Sequence, residues 1–331
     1  MKYSASRWLP FEEEVRKLQE ELDEVLRRQA EEEADYGGRI AALQDRFERE
    51  RRKIAEGLTP WQKVLIARHP NRPYTLDYVA HIFDEFVELH GDRRYGDDKS
   101  LVGGPAMLDG KGVMVIGHQK GRTTKERQER NFGSSNPEAY RKVQRLTEMA
   151  ERLGMPVISV VDTPAAQCLF DAEARGISEA IAATQLLMSG LKIPIIVAVT
   201  GEGGSGGAIG IGVGDRILML EHAIYSVIPP EGFAAILYKN AAPEQVQTAA
   251  ALLKLTAQDA LRLGVIDRII EEPLAGAHYD GVAMAAKLKD VLCEELAELL
   301  TVPPEELVDR RYAKFRAMGK YTVRSAERTG A

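Results

Sequence analysis

The 331-residue chain is poor in cysteine, with only Cys168 and Cys293. Two thiols make neither a disulfide framework nor a paired-cysteine zinc site of the ribbon or finger kind. The six histidines are scattered without an HExxH spacing, so no metal is expected on this chain. There is no apolar run of membrane-spanning length and no secretory leader, which predicts a soluble, cytoplasmic protein that does not engage a membrane. Positive charge is also short: 44 Lys and Arg stand against 50 Asp and Glu, a formal net charge of −6. That balance argues against a general nucleic-acid binder and leaves only local basic patches. The chain shows no internal repeats.

What is present divides into a charged helical start, a large α/β body and a short tail, at residues 1–60, 61–315 and 316–331. In "FEEEVRKLQEELDEVLRRQAEEEAD", Val15, Leu18, Leu22 and Val25 recur three and four apart, a narrow apolar seam on a charged helix. Gly37-Gly38 is expected to break it, and Ile40, Leu43, Phe47 and Ile54 then mark one face of a second helix. From about Leu101, "GVMVIGH", "MPVISVVDT" and "IPIIVAVTG" are short β-branched runs separated by helical stretches, which predicts buried parallel strands with crossover helices. The stretch "NPEAYRKVQRLTEMAERLG" is one such helix, with Asn136 as its cap, Pro137 in the first turn and Gly154 at its end. "AEARGISEAIAATQLLMSG" reads as the next helix, "RILMLEHAIYSVI" as further strand, and the chain from Pro243 onward as largely helical. A fraying tail is expected at the end.

One segment, "TGEGGSGGAIGIGVGD" from Thr200 to Asp215, admits three chemistries. Gly201, Gly203 and Gly206 spell the dinucleotide pattern GxGxxG, with Glu221 as the distant acid. Against it, Gly210, Gly212 and Gly214 would each cost the following helix about 1 kcal/mol relative to alanine. Gly203, Ser205 and Gly207 also spell GxSxG, with Asp267 and His278 downstream in hydrolase order. Ser205 reads better as a small residue in a tight turn than as a nucleophile. In the third reading, a glycine-rich strand-to-helix turn presents bare N–H groups that stabilise an oxyanion without any side chain. Missing Cβ atoms then let a flat substrate approach the backbone.

The surroundings separate these readings. "RHPNRPYTLDYV", "GHQKGRTTKE", "NFG", "PEAYRK", "AERLGMPVI", "GEGGSGGAIGIGVGD", "YSVI" and "PEG" follow in order between Arg68 and Gly232. Together they resemble the α subunit of bacterial acetyl-CoA carboxylase carboxyltransferase, over roughly Arg68 to Arg311. The resemblance implies an α/β fold of the crotonase/ClpP type, a spiral of ββα units, here with an N-terminal helical hairpin and a helical C-terminal region. It implies a β subunit carrying a zinc ribbon in an α2β2 assembly, a biotin carboxyl carrier protein, and an acyl-CoA substrate. Biotin would arrive as carboxybiotin on that carrier and not bound covalently to this chain. By the same resemblance the N–H groups of Gly206 and Gly207 are oxyanion donors, and Gly203 and Gly204 shape their turn. Lys120, Gly121, Arg122, Pro164, Ala165, Ala166, Pro230, Glu231 and Gly232 would line the substrate site. Lys120, Arg122, Lys125, Arg127 and Arg130 outnumber Glu126 and Glu129 nearby, a basic cluster suited to CoA phosphates, carrier or carboxylate.

Two site segments depart from the family. Its pattern DTPGAYPGVGAEERGQSE reads "DTPAAQCLFDAEARGISE" here, from Asp162 to Glu179. Ala165, Leu169 and Asp171 replace glycines, Cys168 a proline and Gln167 a tyrosine. Leu169, Phe170 and Asp171 are therefore expected to fill or reshape the biotin space. Pro229 and Phe233 replace a serine and a cysteine of the family's SVISPEGCASILW. Cys168, with no histidine placed beside it, reads as an inert packing residue. The rewritten loop keeps two alternatives open: a biotin-independent decarboxylase or related enolate chemistry on a malonyl-type thioester, and a non-catalytic scaffold paralogue of the carboxylase.

Overall fold

The computed structural model describes residues 8–32 and 35–319. It opens with a 3-10 turn, Pro10–Glu12, and two antiparallel helices, α1 (Glu13–Glu32) and α2 (Gly37–Glu56). The α1 seam is buried as its spacing predicts. Leu18, Leu22 and Val25 close against Leu43 of α2, with Tyr36, Ile40 and Phe47 around them. The glycines do not separate the helices: α2 begins at Gly37, after Asp35 accepts the Gly37 N–H at 2.8 Å. That side-chain acceptor satisfies a helix-start donor, so the glycines open the second helix.

Two short helices follow, α3 (Pro60–Ala67) and α4 (Thr75–Ile82). Thr59 and Gln62 form a reciprocal capping box at the start of α3, which also has Pro60 at its first position. The hairpin β1 (Leu101–Leu108) and β2 (Lys111–His118) then leads into α5 (Thr124–Glu129) and the long α6 (Pro137–Leu153). Asn136 occupies the cap position of α6, but its Oδ1 accepts from Arg175 Nη2 at 3.2 Å and not from the helix. Gly154 ends α6 in the left-handed region at φ 65°.

The body continues through β3 (Val157–Thr163), α7 (Phe170–Ala174), α8 (Ile177–Gly190), β4 (Ile195–Gly204), α9 (Ser205–Ile209), β5 (Arg216–Leu220) and β6 (Ile224–Ser226). The stretch read as one helix is thus two, divided where Gly176 takes φ 80°. Then come α10 (Pro230–Tyr238), α11 (Pro243–Leu252), α12 (Ala257–Arg262), β7 (Arg268–Ile270), α13 (Gly281–Leu299) and α14 (Pro304–Ala317). The strand β7 corrects the purely helical reading of this region. Three residues are too few to show an alternating or apolar period of their own.

The sheet runs β1-β2-β3-β4-β5-β7, with β6 beside the far end of β4. Only β1 and β2 are antiparallel; the remaining pairs are parallel. All seven residues of β3 and nine of ten in β4 are buried, as expected for parallel strands covered on both faces. Tyr140, Val143 and Leu146 of α6 join them in one core with Leu288, Leu292 and Leu296 of α13.

The C-terminal helix belongs to that body. Arg311 of α14 is fully buried, pairs with both Asp215 oxygens at 2.9 and 2.8 Å, and donates to the Met188, Leu191 and Ile193 carbonyls. The helix therefore runs two residues past the boundary read from sequence, and residues 320–331 of the expected tail lie outside the described residues. Among the described residues no helix is long and apolar enough to cross a membrane.

Candidate active site

Three adjacent strands, β2, β3 and β4, end on one edge of the sheet, the place where open α/β sheets hold ligands. The glycine turn leaves β4 here. A Cβ on Gly204 would overlap the Pro164 carbonyl oxygen, and one on Gly207 would lie 2.6 Å from the Ala165 carbonyl carbon. The turn and the loop after β3 therefore touch backbone to backbone, and only glycine permits it. At Gly206 the nearest atom to an added Cβ is Ile181 Cδ1, at 3.5 Å, an ordinary side-chain contact with no loop backbone pressed against it. Ser205 joins strand to helix at φ 50°. Gly206 and Gly207 lie in the first turn of α9, where N–H groups have no intrahelical acceptor. Among the described residues no side chain or loop carbonyl accepts from them.

Beneath the turn lies a cluster of charges. Lys120 Nζ, just past β2, stands 2.7 Å from Asp162 Oδ1 and 2.8 Å from Glu202 Oε2. Arg68, at the end of α3, gives Nε to Glu202 Oε1 at 2.7 Å and Nη1 to Glu231 Oε1 at 2.6 Å. Burial opposes the Lys120 charge, but Asp162 and Glu202 outweigh it and hold the ammonium above the ordinary lysine range. Burial would raise Glu202, yet Lys120 and then Arg68 bring it down to about 2. His118, fully buried, is pushed to about 3, by burial first and Lys120 second. It is too weak a base at neutral pH to abstract a proton. The arrangement offers fixed donors and committed ions where an acid–base pair would otherwise be sought.

Most residues proposed from sequence meet at this edge. Gly203, Gly204, Gly206 and Gly207 form the turn, and Pro164, Ala165 and Ala166 back it. Gly133 lies against the Lys120 side chain and Pro164. Pro230, Glu231 and Gly232 open α10, tied to the turn through Arg68. Gly121 is buried against the start of α5, where a Cβ would strike Arg127 N. Arg122 turns aside: its Nη2 meets Asp77 Oδ2 at 2.6 Å and its guanidinium lies 4.6 Å from the Tyr74 ring centre. Phe233 packs with Trp61 and Tyr238 beside Ala234, Val246 and Ala249.

The sequence reading missed Arg68, Asp162 and Glu202 as one group. The signal was a charged residue at the end of each apolar run, Asp162 after "VISVV" and Glu202 after "IPIIVAVTG". The rewritten loop also differs from expectation. Leu169 and Phe170 are 65% and 84% exposed, and Cys168 and Asp171 are exposed too. They project outward because α7 buries only Ala172. Of the rewritten loop it is Ala165 and Ala166 that touch the turn instead.

The rival motif readings do not assemble. Asp267 accepts from Ile217 N at 2.7 Å and Lys314 Nζ at 2.6 Å, while His278 lies against His69 and Glu12. Ser205 therefore has its strained turn without a base. For a dinucleotide, the five-residue α9 is followed by Gly210, and the Glu221 carboxylate accepts from Glu272 N at 3.2 Å.

Comparison with known proteins gives one direction. A family described as acetyl co-enzyme A carboxylase carboxyltransferase-like matches residues 8–319. The acetyl-coenzyme A carboxylase carboxyl transferase subunit alpha of Geobacter metallireducens is 52% identical over 320 residues, 95% of this chain and 98% of that one. Among solved structures, transcarboxylase 12S superposes at TM-score 0.57 with 18% identity, covering 78% of this chain but only 44% of its own. A Pseudomonas malonate decarboxylase hetero-dimer gives TM-score 0.55 at 20% identity, covering 67% of this chain and 90% of the matched one. These two likenesses establish the fold, the crotonase-type spiral.

Proposed function

Since the chain belongs to the acetyl co-enzyme A carboxylase carboxyltransferase-like family, we propose that it is the α subunit of a biotin-dependent carboxyltransferase, acting on acetyl-CoA or a related acyl thioester in the cytoplasm. The observation that carries this is the glycine turn itself, whose Gly206 and Gly207 N–H groups have no acceptor among the described residues. Such donors suit a ureido oxygen that becomes negative, and the residues present fit biotin in that respect. Carboxybiotin, brought by a carrier protein, supplies the carboxyl group.

This chain's own part is electrostatic. Gly206 and Gly207 stabilise the developing oxyanion with fixed dipoles, and Gly204 and Gly207 let the turn sit flush on Pro164 and Ala165. Lys120, Asp162 and Glu202 hold the strand ends. Glu231, through Arg68, sets the entrance of α10. A second, β-type chain with a zinc ribbon is proposed to hold the thioester in an α2β2 assembly. The 168–171 segment faces outward and does not pack on the turn, which favours a biotin-using enzyme.

The test is carboxyl transfer in reverse, from malonyl-CoA to free biotin, by the chain purified with its β partner. Biotin-dependent turnover is expected, and Gly206→Val, which keeps the N–H but sets a branched side chain in the turn, should lower kcat by about 10²-fold through displacement of the donor. Release of CO2 without biotin would replace the proposal by a decarboxylase. A stable complex with no turnover on any malonyl-type thioester would leave a scaffold paralogue.

A further inference from the structure

The ladder between β3 and β4 is regular from Val157↔Ile195 to Val161↔Val199, then jumps to Thr163↔Gly203. Thr200, Gly201 and Glu202 thus stand opposite the single residue Asp162. Such a bulge gives up ladder hydrogen bonds and re-aims the strand beyond it. Side chains replace the lost bonds. Arg72 Nε donates to the Thr200 carbonyl at 2.6 Å, and Asp162 Oδ1 accepts the Glu202 N–H at 2.9 Å. The Asp162 carboxylate sits so close to Gly201 that no Cβ fits there.

Glu202 is the last residue with a functional side chain before Gly203 and Gly204. Gly203 and Gly204 are held by backbone alone, through their ladder partners Tyr225 and Ser226 of β6 and their contact with Pro164, so Glu202 is the nearest side chain that can anchor the turn from the strand side. Glu202 is 7% exposed, and each of its carboxylate oxygens takes a different cation, Arg68 on one and Lys120 on the other. Lys120 fastens it to the ends of β2 and β3. Arg68 fastens it to Glu231 in the first turn of α10.

We propose that Glu202 is a positioning residue for carboxyl transfer: it fixes the bulge from which the Gly206 and Gly207 N–H groups are aimed, with Lys120 and Arg68 as its two anchors. It touches no reacting atom. The inference rests on the function proposed above for what those N–H groups do.

Glu202→Gln keeps the shape and the backbone bonds and removes the charge that both cations share. Donor misplacement is felt in the transition state, so kcat should fall about 10- to 100-fold. The malonyl-CoA KM should stay within about twofold, since uniform binding is untouched. Amide hydrogen exchange at residues 203–208 should quicken by about tenfold while the β3 core remains protected. Unchanged kcat and exchange would overturn the proposal, as would a raised KM with unchanged kcat. If Glu202→Gln does not fold, Arg68→Lys, with one ammonium for two carboxylates, should give the same pattern at smaller amplitude, and a wild-type pattern would overturn it. A wild-type complex with no biotin-dependent turnover would sink the functional reading instead. The exchange measurement would then still judge the anchoring, with unchanged rates overturning it.

Discussion

The N-terminal hairpin and the strand-end edge are both dense in ion pairs, yet the pairs do different work. On α1, Arg16 meets Glu13 and Glu20 at 2.6 and 2.7 Å, with the carboxylates more than half exposed. Under the glycine turn, Arg72 and Glu272 pair with no exposed side-chain surface at all. Water screens the first set, so its pairs contribute little and mainly keep the helix soluble. The second set has lost its water, and each member is needed to offset the burial of the other. Similar distances therefore carry different consequences, and burial decides which.

Removing one buried partner should show this most strongly. Arg72→Met leaves Glu272 with two backbone donors, His222 and Ala277 N–H, but no counter-ion. A loss of about 3–5 kcal/mol is expected in urea unfolding. A loss below that of an ordinary surface substitution would erase the contrast.

Acid should act on the same region. Glu202 and Glu272 are each held at about 2, against an ordinary value of 4.5. For both, burial raises the pKa, and the cations that lower it, Lys120 and Arg72 respectively, prevail. The unfolded chain therefore binds these protons first as pH falls. Their contribution is complete above about pH 5, and declines from there toward pH 2. Unfolding midpoints measured across that window should fall steadily, and a flat profile would contradict the pairing.

Within the hairpin, apolar packing should outweigh charge. Leu22→Ala removes a buried member of the α1–α2 seam, and a loss of about 2–4 kcal/mol is expected from calorimetry or urea titration. Arg16→Gln, on the opposite face, should leave the unfolding midpoint unmoved within error and insensitive to salt. A clear destabilisation there would mean that exposed pairs matter more than their burial implies.

Several elements were legible in the sequence for identifiable reasons. The α1 seam, the three apolar strands and the proline-to-glycine limits of α6 each follow from local periodicity and backbone preference. The glycine turn was legible as a turn because few other chemistries need so bare a backbone. The break at Gly176, the short β7 and the role of Gly37 were not, because each depends on what packs or hydrogen-bonds against a few residues. Lys120 was read as a free cation for phosphates or carboxylates. Its sequence neighbours are basic, and the carboxylates that claim it lie 42 and 82 positions away, at Asp162 and Glu202.

By itself, the sequence determined an α/β body with an appended hairpin, its order of strands and helices, the family, and a glycine turn suited to holding an oxyanion. These are local or near-local properties: period, propensity and the absence of side chains. Only the tertiary structure decided that β4 bulges against Asp162, that Arg68, Lys120, Asp162, Glu202 and Glu231 form one charged group, and that Leu169 and Phe170 face outward. The physical reason is that charge pairing and burial depend on distance in space. Residues far apart in the chain acquire those distances only when the sheet brings its strand ends together.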